Sequence, residues 1–208
     1  MLFRSGYTQL AMDELPRESP AHEDLREVYR GAERARDLVK QILAFSRQGA
    51  DVVAPIQIAS VVKEVCKLLR STLPTTVEIR QDIAPALANI MADPIQIHQI
   101  IMNLGINAGH AMREAGGGIL EVSLQNAEFG TWNAELNLAP GSYLRLTVSD
   151  TGCGMAPEIV ERIFDPYFTT KEKGKGTGLG LAVVHGIVKG YGGAVVVHSE
   201  PEIGRAHV

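Results

Sequence analysis

The sequence predicts an α+β protein: a two-layer α/β sandwich with a mixed sheet and helices on one face, preceded by an α-helical hairpin. Three observations carry that expectation. Apolar residues recur in steps of three and four from Leu25 to Phe45, one helical stripe. Beyond residue 57, short segments with period-two alternation are interleaved with helical ones. A long helix opening at Asp93-Pro94 has a continuous apolar face. Size agrees, since 208 residues with 45% hydrophobic and 21% charged side chains suffice for one core and an appendage.

In chain order, Gly6 to Gln48 reads as the hairpin, broken at Leu15-Pro16-Arg17-Glu18-Ser19-Pro20, where two prolines forbid a continuous helix. Ser19 caps the second arm and Pro20 takes its first position. Two helices alone make a poor core, so a second copy forming a bundle or packing against the chain's own domain is implied. Residues 49–57 read as a linker. Ile58–Leu69 follows as a helix, Thr76–Gln81 and Asn89–Ala92 as strands, and the Asp93 helix runs to a stop at Gly116-Gly117-Gly118. Ile119–Leu124 and Tyr143–Val148 alternate as strands, Pro157–Ile163 is a short helix, another helix begins near Leu179, and the β-branched run Ala194–His198 is a strand.

Composition narrows the function. A net charge of −4 and a pI near 5.9 exclude a dedicated nucleic-acid binder, because no basic surplus exists to displace phosphate counterions. The two cysteines, Cys66 and Cys153, have no metal-site or disulfide spacing. No apolar run approaches the ~18 residues of a membrane span, and no secretory signal opens the chain. The expected location is cytoplasmic, with no direct membrane contact in this stretch and a parent either soluble or membrane-anchored. Glycine is in excess: 21 of 208, eight of them between Gly174 and Gly193, against a typical ~7% of residues.

Three segments carry chemistry. On the helix after Asp93, Ile97, Ile100, Ile101, Leu104, Ala108, Ala111 and Met112 form the core face, and Gln96, Gln99, Asn103, Asn107 and His110 form a polar stripe beside it. Such a stripe is either solvated surface or the wall of a polar ligand site. Gly174-Lys-Gly176-Thr177-Gly178-Leu179-Gly180-Leu181 then runs straight into a helix. Alternating glycines at a helix N-terminus converge N–H groups on one point, which suits polyphosphate, with a plain flexible loop as the alternative. Neither the P-loop nor the Rossmann fingerprint is present. Lys171, Lys173 and Lys175 precede the glycines and are placed to meet terminal phosphate charge. The third segment is Asp150-Thr-Gly152-Cys-Gly154, a carboxylate at a strand end that can accept from an adenine amino group, although Asp-Thr-Gly also makes plain turns.

Taken in order, these segments resemble the ATP-binding domain of sensor histidine kinases. Asp93–Met112 is similar to that family's N box, with Asn103 and Asn107 on its two asparagine positions. Asp150-Thr-Gly-Cys-Gly154 resembles the first glycine box, Phe164-Asp-Pro-Tyr-Phe-Thr-Thr-Lys171 the phenylalanine box, and Gly176-Thr-Gly-Leu-Gly-Leu181 the second glycine box. The four motifs span Asp93–Leu181 and the resemblance extends over residues 56–200. The hairpin ending Leu43-Ala-Phe-Ser-Arg47 resembles the latter part of the family's dimerisation and phosphoacceptor domain.

The resemblance implies a Bergerat-type fold over 58–208, a partial acceptor hairpin over 1–48, and ATP with Mg²⁺ as cofactors. It makes Asn107 the Mg²⁺ ligand, places Asn103 and His110 near the phosphates, makes Asp150 the adenine-recognising carboxylate with Gly152 and Gly154 shaping its pocket, and gives Lys175, Gly176, Thr177, Gly178, Leu179 and Gly180 to the nucleotide. The stretch from about Gly152 to Gly178 becomes a mobile lid. Asn103 and Lys171 are the expected catalytic groups. Gyrase-, Hsp90- and MutL-type ATPases of the same superfamily place a water-activating Glu four residues before the metal asparagine. Here that position is Asn103, which has no basic carboxylate, so transfer to a protein side chain is favoured over fast hydrolysis.

The implied activity is transfer of the ATP γ-phosphoryl group to a histidine and relay to a response-regulator aspartate, in a homodimer formed through the hairpin. Of His22, His98, His110, His185, His198 and His207, none stands at the family's acceptor position, which would lie about ten residues before Gly6 by the family pattern. The fragment is expected to bind Mg-ATP without phosphorylating itself there. The rivals are a GHKL-type ATPase and a non-catalytic, nucleotide-gated dimerisation module.

Overall fold

The computed structural model describes residues 2–29, 31–32, 53–113, 115–171, 176–201 and 206–207. They fall into two compact units, Met1–Ala50 with Lys171–Thr177, and Asp51–Thr170 with Gly178–Val208.

In the first unit, α1 covers Leu2–Glu14. The Pro16–Pro20 break falls where two prolines place it, and helix α2 begins at residue 20 and is described through 29. Ser19 caps it as expected, its Oγ accepting the His22 N–H at 3.2 Å. The apolar stripe beyond Ala32, and with it the far end of the hairpin, lies outside the described residues.

The second unit is the sandwich. Strand β1 (Ala54–Ile56) pairs antiparallel with β3 (Ile90–Ala92). The main sheet has the order β2 (Val77–Ile83), β4 (Gly118–Phe129), β5 (Gly141–Asp150), β6 (Ala206–His207). The β2–β4 pair is parallel and the other two pairs are antiparallel, so the sheet is mixed. Helices α3 (Ile58–Thr72), α4 (Pro94–Arg113) and α6 (Gly180–Gly190) pack on the sheet, and the short α5 (Pro157–Val160) precedes the glycine-rich segment.

The core lies between these layers. Leu120, Val122 and Leu124 of β4 are fully buried and meet Ile101 and Met112 of α4 and Val62, Val65 and Leu69 of α3. Each such side chain contributes about 1.5–3 kcal/mol by burial. Helices α3 and α4 approach closely where α4 carries small residues, since a Cβ on Gly105 would lie 2.5 Å from Leu69 Cδ1.

Two expectations change. Ala54–Ile56, expected within the linker, forms β1 because Ile90–Ala92 offers it a partner. Ala194–His198, expected as a strand, forms no ladder among the described residues beyond a single bridge at His198. Its β-branched composition suits a strand, but a strand exists only with a neighbour, and the β5 edge at Ser149–Asp150 is taken by Ala206–His207. The run instead turns Val197 and Ser199 toward a pocket.

Candidate functional site

The pocket opens between α4, the end of β5, and α6. Its walls are Leu104, Asn107, Ala108 and Ala111 from α4, Val148 and Asp150 from β5, and Leu181 from α6. Gly154, Met155, Ile163, Val197 and Ser199 complete it. The interior is about 100 Å³, several times what one water needs yet a slot rather than a cavern. It has room for one end of an elongated ligand.

Sheet register explains how a carboxylate comes to line an apolar slot. Val148 stands opposite Val122 and Asp150 opposite Leu120, so Asp150 continues the inward-facing series Leu144, Leu146, Val148. Asp150 is only 9% exposed. Burial pushes its carboxyl above the ordinary carboxylate range, partly offset by the Gly152 N–H, which donates to Asp150 Oδ1 at 2.8 Å. The result is a concentrated acceptor between apolar walls, suited to the donor edge of a flat heteroaromatic ring.

The following loop is fastened at each step. Thr151 Oγ1 accepts the Ile119 N–H at 3.0 Å, the Cys153 N–H donates to Ala111 O at 3.2 Å, and the Met155 N–H donates to Ser199 Oγ at 2.8 Å. Gly152 lies against α4, where a Cβ would stand 2.6 Å from Ala111 Cβ. Gly154 has φ +69° and passes so close to the Glu200 carbonyl that no side chain fits.

At the other end of the slot, α4 meets the start of α6. Asn103 Nδ2 donates to Gly180 O at 3.2 Å. A Cβ on Gly180 would lie 3.6 Å from Asn103 Oδ1 and 3.8 Å from Asn107 Nδ2. The polar stripe on α4 therefore faces the start of α6 at Asn103 and Asn107, Asn107 also lining the slot, with His110 half-buried a turn further on. Gly178 has φ +65° and packs on the Tyr167 backbone, whose N–H donates to Gly178 O at 2.9 Å. Tyr167 is itself left-handed at φ +69°. Phe164 stacks on His185 at 4.9 Å, and the Arg162 guanidinium sits 4.3 Å over the Phe168 ring. The phenylalanine-box segment is thus held in place just before the glycines.

Of the expected site residues, Asn103, Asn107, Asp150, Gly152, Gly154, Gly178, Leu179 and Gly180 all belong to the sandwich unit, and all but Leu179 occupy the places just described. Lys171, Gly176 and Thr177 fall in the other compact unit, and Lys175 lies outside the described residues. Sequence reasoning missed Met155, Ile163, Val197 and Ser199. Only the break in regular structure after Gly193, invisible in a β-branched run, brings the last two to the slot.

The donors present suit Mg²⁺ arriving with phosphate. Mg²⁺ takes oxygen ligands and keeps waters and phosphate oxygens rather than needing an all-protein cage. Asn107 offers one carboxamide oxygen, and among the described residues no cluster of three His, Cys, Asp or Glu side chains could hold a metal alone.

Comparison with known proteins decides the family. The family model described as histidine kinase-, DNA gyrase B- and HSP90-like ATPase matches residues 92–207. The chain belongs to this family. Within it, the chain is an ATP-binding catalytic domain of the sensor histidine kinase kind. It is 35% identical over 185 residues to sensor kinase CckA of Brucella abortus (strain 2308), a match covering 87% of this chain and 19% of CckA. The structure of full-length ShkA in complex with AMPPNP superposes with a TM-score of 0.65 at 30% identity, covering 93% of this chain and 38% of that one. Histidine kinase ThkA, in complex with response regulator protein TrrA, shares the fold with a TM-score of 0.63 at 18% identity, covering 99% of this chain and 55% of that one. The chain thus spans about a fifth of CckA and under two fifths of ShkA. No described helix is long and apolar enough to cross a membrane.

Proposed function

We propose that this domain binds Mg-ATP with the adenine in the slot on Asp150 and the phosphates at Asn103, Asn107 and Gly178–Gly180, and donates the γ-phosphoryl group to a protein histidine for relay to a response-regulator aspartate. The observation that carries this reading is the arrangement of the slot, with a buried carboxylate at its floor and two asparagines facing a helix N-terminus at its mouth. Mg²⁺ when bound supplies charge neutralisation on the phosphates, and Asn107 is the residue that would hold it. Phosphoryl transfer needs little beyond positioning and charge stabilisation, which is what these groups offer.

Hydrolysis in the gyrase manner is disfavoured. Asn103 stands where a water-activating carboxylate would be needed, and its amide is engaged with the Gly180 carbonyl. A carboxamide takes no proton from water. Gly176, Thr177, Lys171 and Lys175 belong to the same reading as phosphate contacts. The hairpin acts as the dimerisation element in a cytoplasmic kinase, and the AMPPNP complex of ShkA and the regulator complex of ThkA support nucleotide and response regulator as its partners.

The test supplies an acceptor-bearing hairpin in trans with γ-labelled ATP. An acid-labile, base-stable phosphate on the acceptor is expected, together with Mg²⁺-dependent ATP binding that loses its Mg²⁺ dependence in Asn107→Ala, at a cost of about tenfold in affinity. Steady multiple-turnover phosphate release without transfer would establish the ATPase reading instead. Binding with neither outcome would leave a nucleotide-gated module.

A further inference from the structure

Two hydrogen bonds between α4 and α6 lie well apart, one at the mouth of the slot and one away from it. The first is the Asn103–Gly180 hydrogen bond at the mouth of the slot. The second is at the far ends of both helices, where Tyr191, the C-cap of α6, accepts the Asp93 N–H on its hydroxyl at 2.9 Å. Asp93 heads α4: its Oδ1 accepts the Ile95 N–H at 2.8 Å, and its carbonyl accepts the Gln96 and Ile97 N–H groups. In a capping box the N–H of the capping residue is satisfied by a side chain three residues on. Here it is met by a residue 98 positions away in sequence.

The spacing of the two ties matches on both helices. Asp93 and Asn103 are ten residues apart on α4, about 15 Å of helix, and Gly180 and Tyr191 are eleven apart on α6, about 16 Å. The helices run antiparallel, and α6 is tied near both of its ends to the N-terminal half of α4, at Asp93 and Asn103. The Tyr191 end is itself set by a Schellman stop, with the Gly193 N–H donating to Val188 O at 2.9 Å and the Gly192 N–H to Lys189 O at 3.0 Å. The apolar contacts of α6 with the core, through Leu181, Val184 and Val188, are non-directional. The hydroxyl bond is directional and fixes a point on each helix.

We propose that Tyr191 is a positioning residue for the phosphate end of the site: its hydroxyl bond to the head of α4 sets the register of α6, and so the height at which Gly178–Gly180 faces Asn103 and Asn107. The inference rests on the assignment of phosphates to that end. Asp150 is placed by sheet register and not by α6, so the carboxylate at the base end does not depend on this tie, and α6 reaches that end only through the non-directional contact of Leu181.

Tyr191→Phe removes the hydroxyl and keeps the ring. In this chain it is expected to weaken Mg-ATP binding about fivefold while adenosine, which has no phosphate, binds within twofold of the parent. Without nucleotide, it is expected to move the side-chain amide resonance of Asn103 and the backbone amide of Val183, which donates to Leu179 O in the first turn of α6. Unchanged Mg-ATP affinity would overturn the proposal. So would an equal loss for ATP and adenosine, which would make the ring a support of the whole pocket. If the parent binds no adenine nucleotide, the functional reading fails separately, and the resonances alone decide: moved signals sustain the register role and unmoved ones reject it.

Discussion

At the proposed base end of the slot, Asp150 is held by a ten-residue strand whose hydrogen-bonded register puts its side chain on the inward face, where the Gly152 N–H donates to Oδ1. At the phosphate end, Gly178–Gly180 is held by a loop apposition at Tyr167 and by the first turn of a helix that reaches its partner through side chains. Moving the first requires breaking a sheet ladder, whereas moving the second requires shifting α6 along α4 against the side-chain hydrogen bonds at Asn103 and Tyr191. On the proposed reading, the base meets the rigid part and the phosphates the more adjustable one. That division suits an enzyme whose γ-phosphoryl group must be presented to a second protein segment.

The base end is most sharply tested by Asp150→Asn. Asn retains an acceptor for the Gly152 N–H but gives up the charge, and binding of ATP and adenosine alike is expected to fall about 100-fold, near 3 kcal/mol. The unliganded protein should not suffer, because the carboxylate is held buried against its preference. A melting temperature equal to or roughly 2 °C above the parent's is expected. Retained adenosine binding, read by calorimetry, would remove Asp150 from the base contact.

Gly178→Ala addresses the other end. The residue sits at φ +65° against the Tyr167 backbone, so a methyl group forces the loop to shift. The expected effect is about a tenfold loss of Mg-ATP affinity, with adenosine affinity held within twofold. Equal losses for both ligands would mean that the two ends are one mechanical unit.

The smallest effect is that of pH, and its sign separates binding from stability. The Asp150 carboxyl is raised in the folded protein, by burial first and with the Gly152 N–H opposing. Between its unfolded and folded pKa values the native state holds the extra proton, so acidification through that window adds stability to the unliganded fold. Above the folded pKa, the buried charge costs stability in full. Nucleotide binding through the carboxylate runs the other way, losing about twofold in affinity at the folded pKa and approaching tenfold for each pH unit below it. Calorimetric titrations carried from neutral pH downward through that raised value should show the loss in the parent and its absence from the residual binding of Asp150→Asn.

Much of the site was legible along the chain because its motifs are local. Asn103 and Asn107 lie on one helix at i and i+4, Asp150 ends an alternating strand, and the glycines of 176–180 lead into a helix, so pattern and turn chemistry marked them as candidates while leaving solvated surface, a plain loop and a plain turn open, and the family resemblance supplied their expected roles. Ser19, Asp93-Pro94 and Gly116–Gly118 likewise marked helix ends through interactions within a few residues. The walls contributed by Ile163, Val197 and Ser199 were not legible, since nothing in their own neighbourhood distinguishes them from core or strand.

The sequence by itself determined the helices and the strands with strong local patterns, the apolar face of α4 and the candidate residues for a nucleotide site, all consequences of periodicity and short-range backbone chemistry. Only the tertiary structure decided which strands exist and which groups meet. Ala54–Ile56 became a strand and Ala194–His198 did not, because a ladder needs a neighbour. Asp150 faced the slot because its partner in register is Leu120. The head of α4 was closed by Tyr191, a hydrogen bond between residues 98 apart that no local pattern encodes.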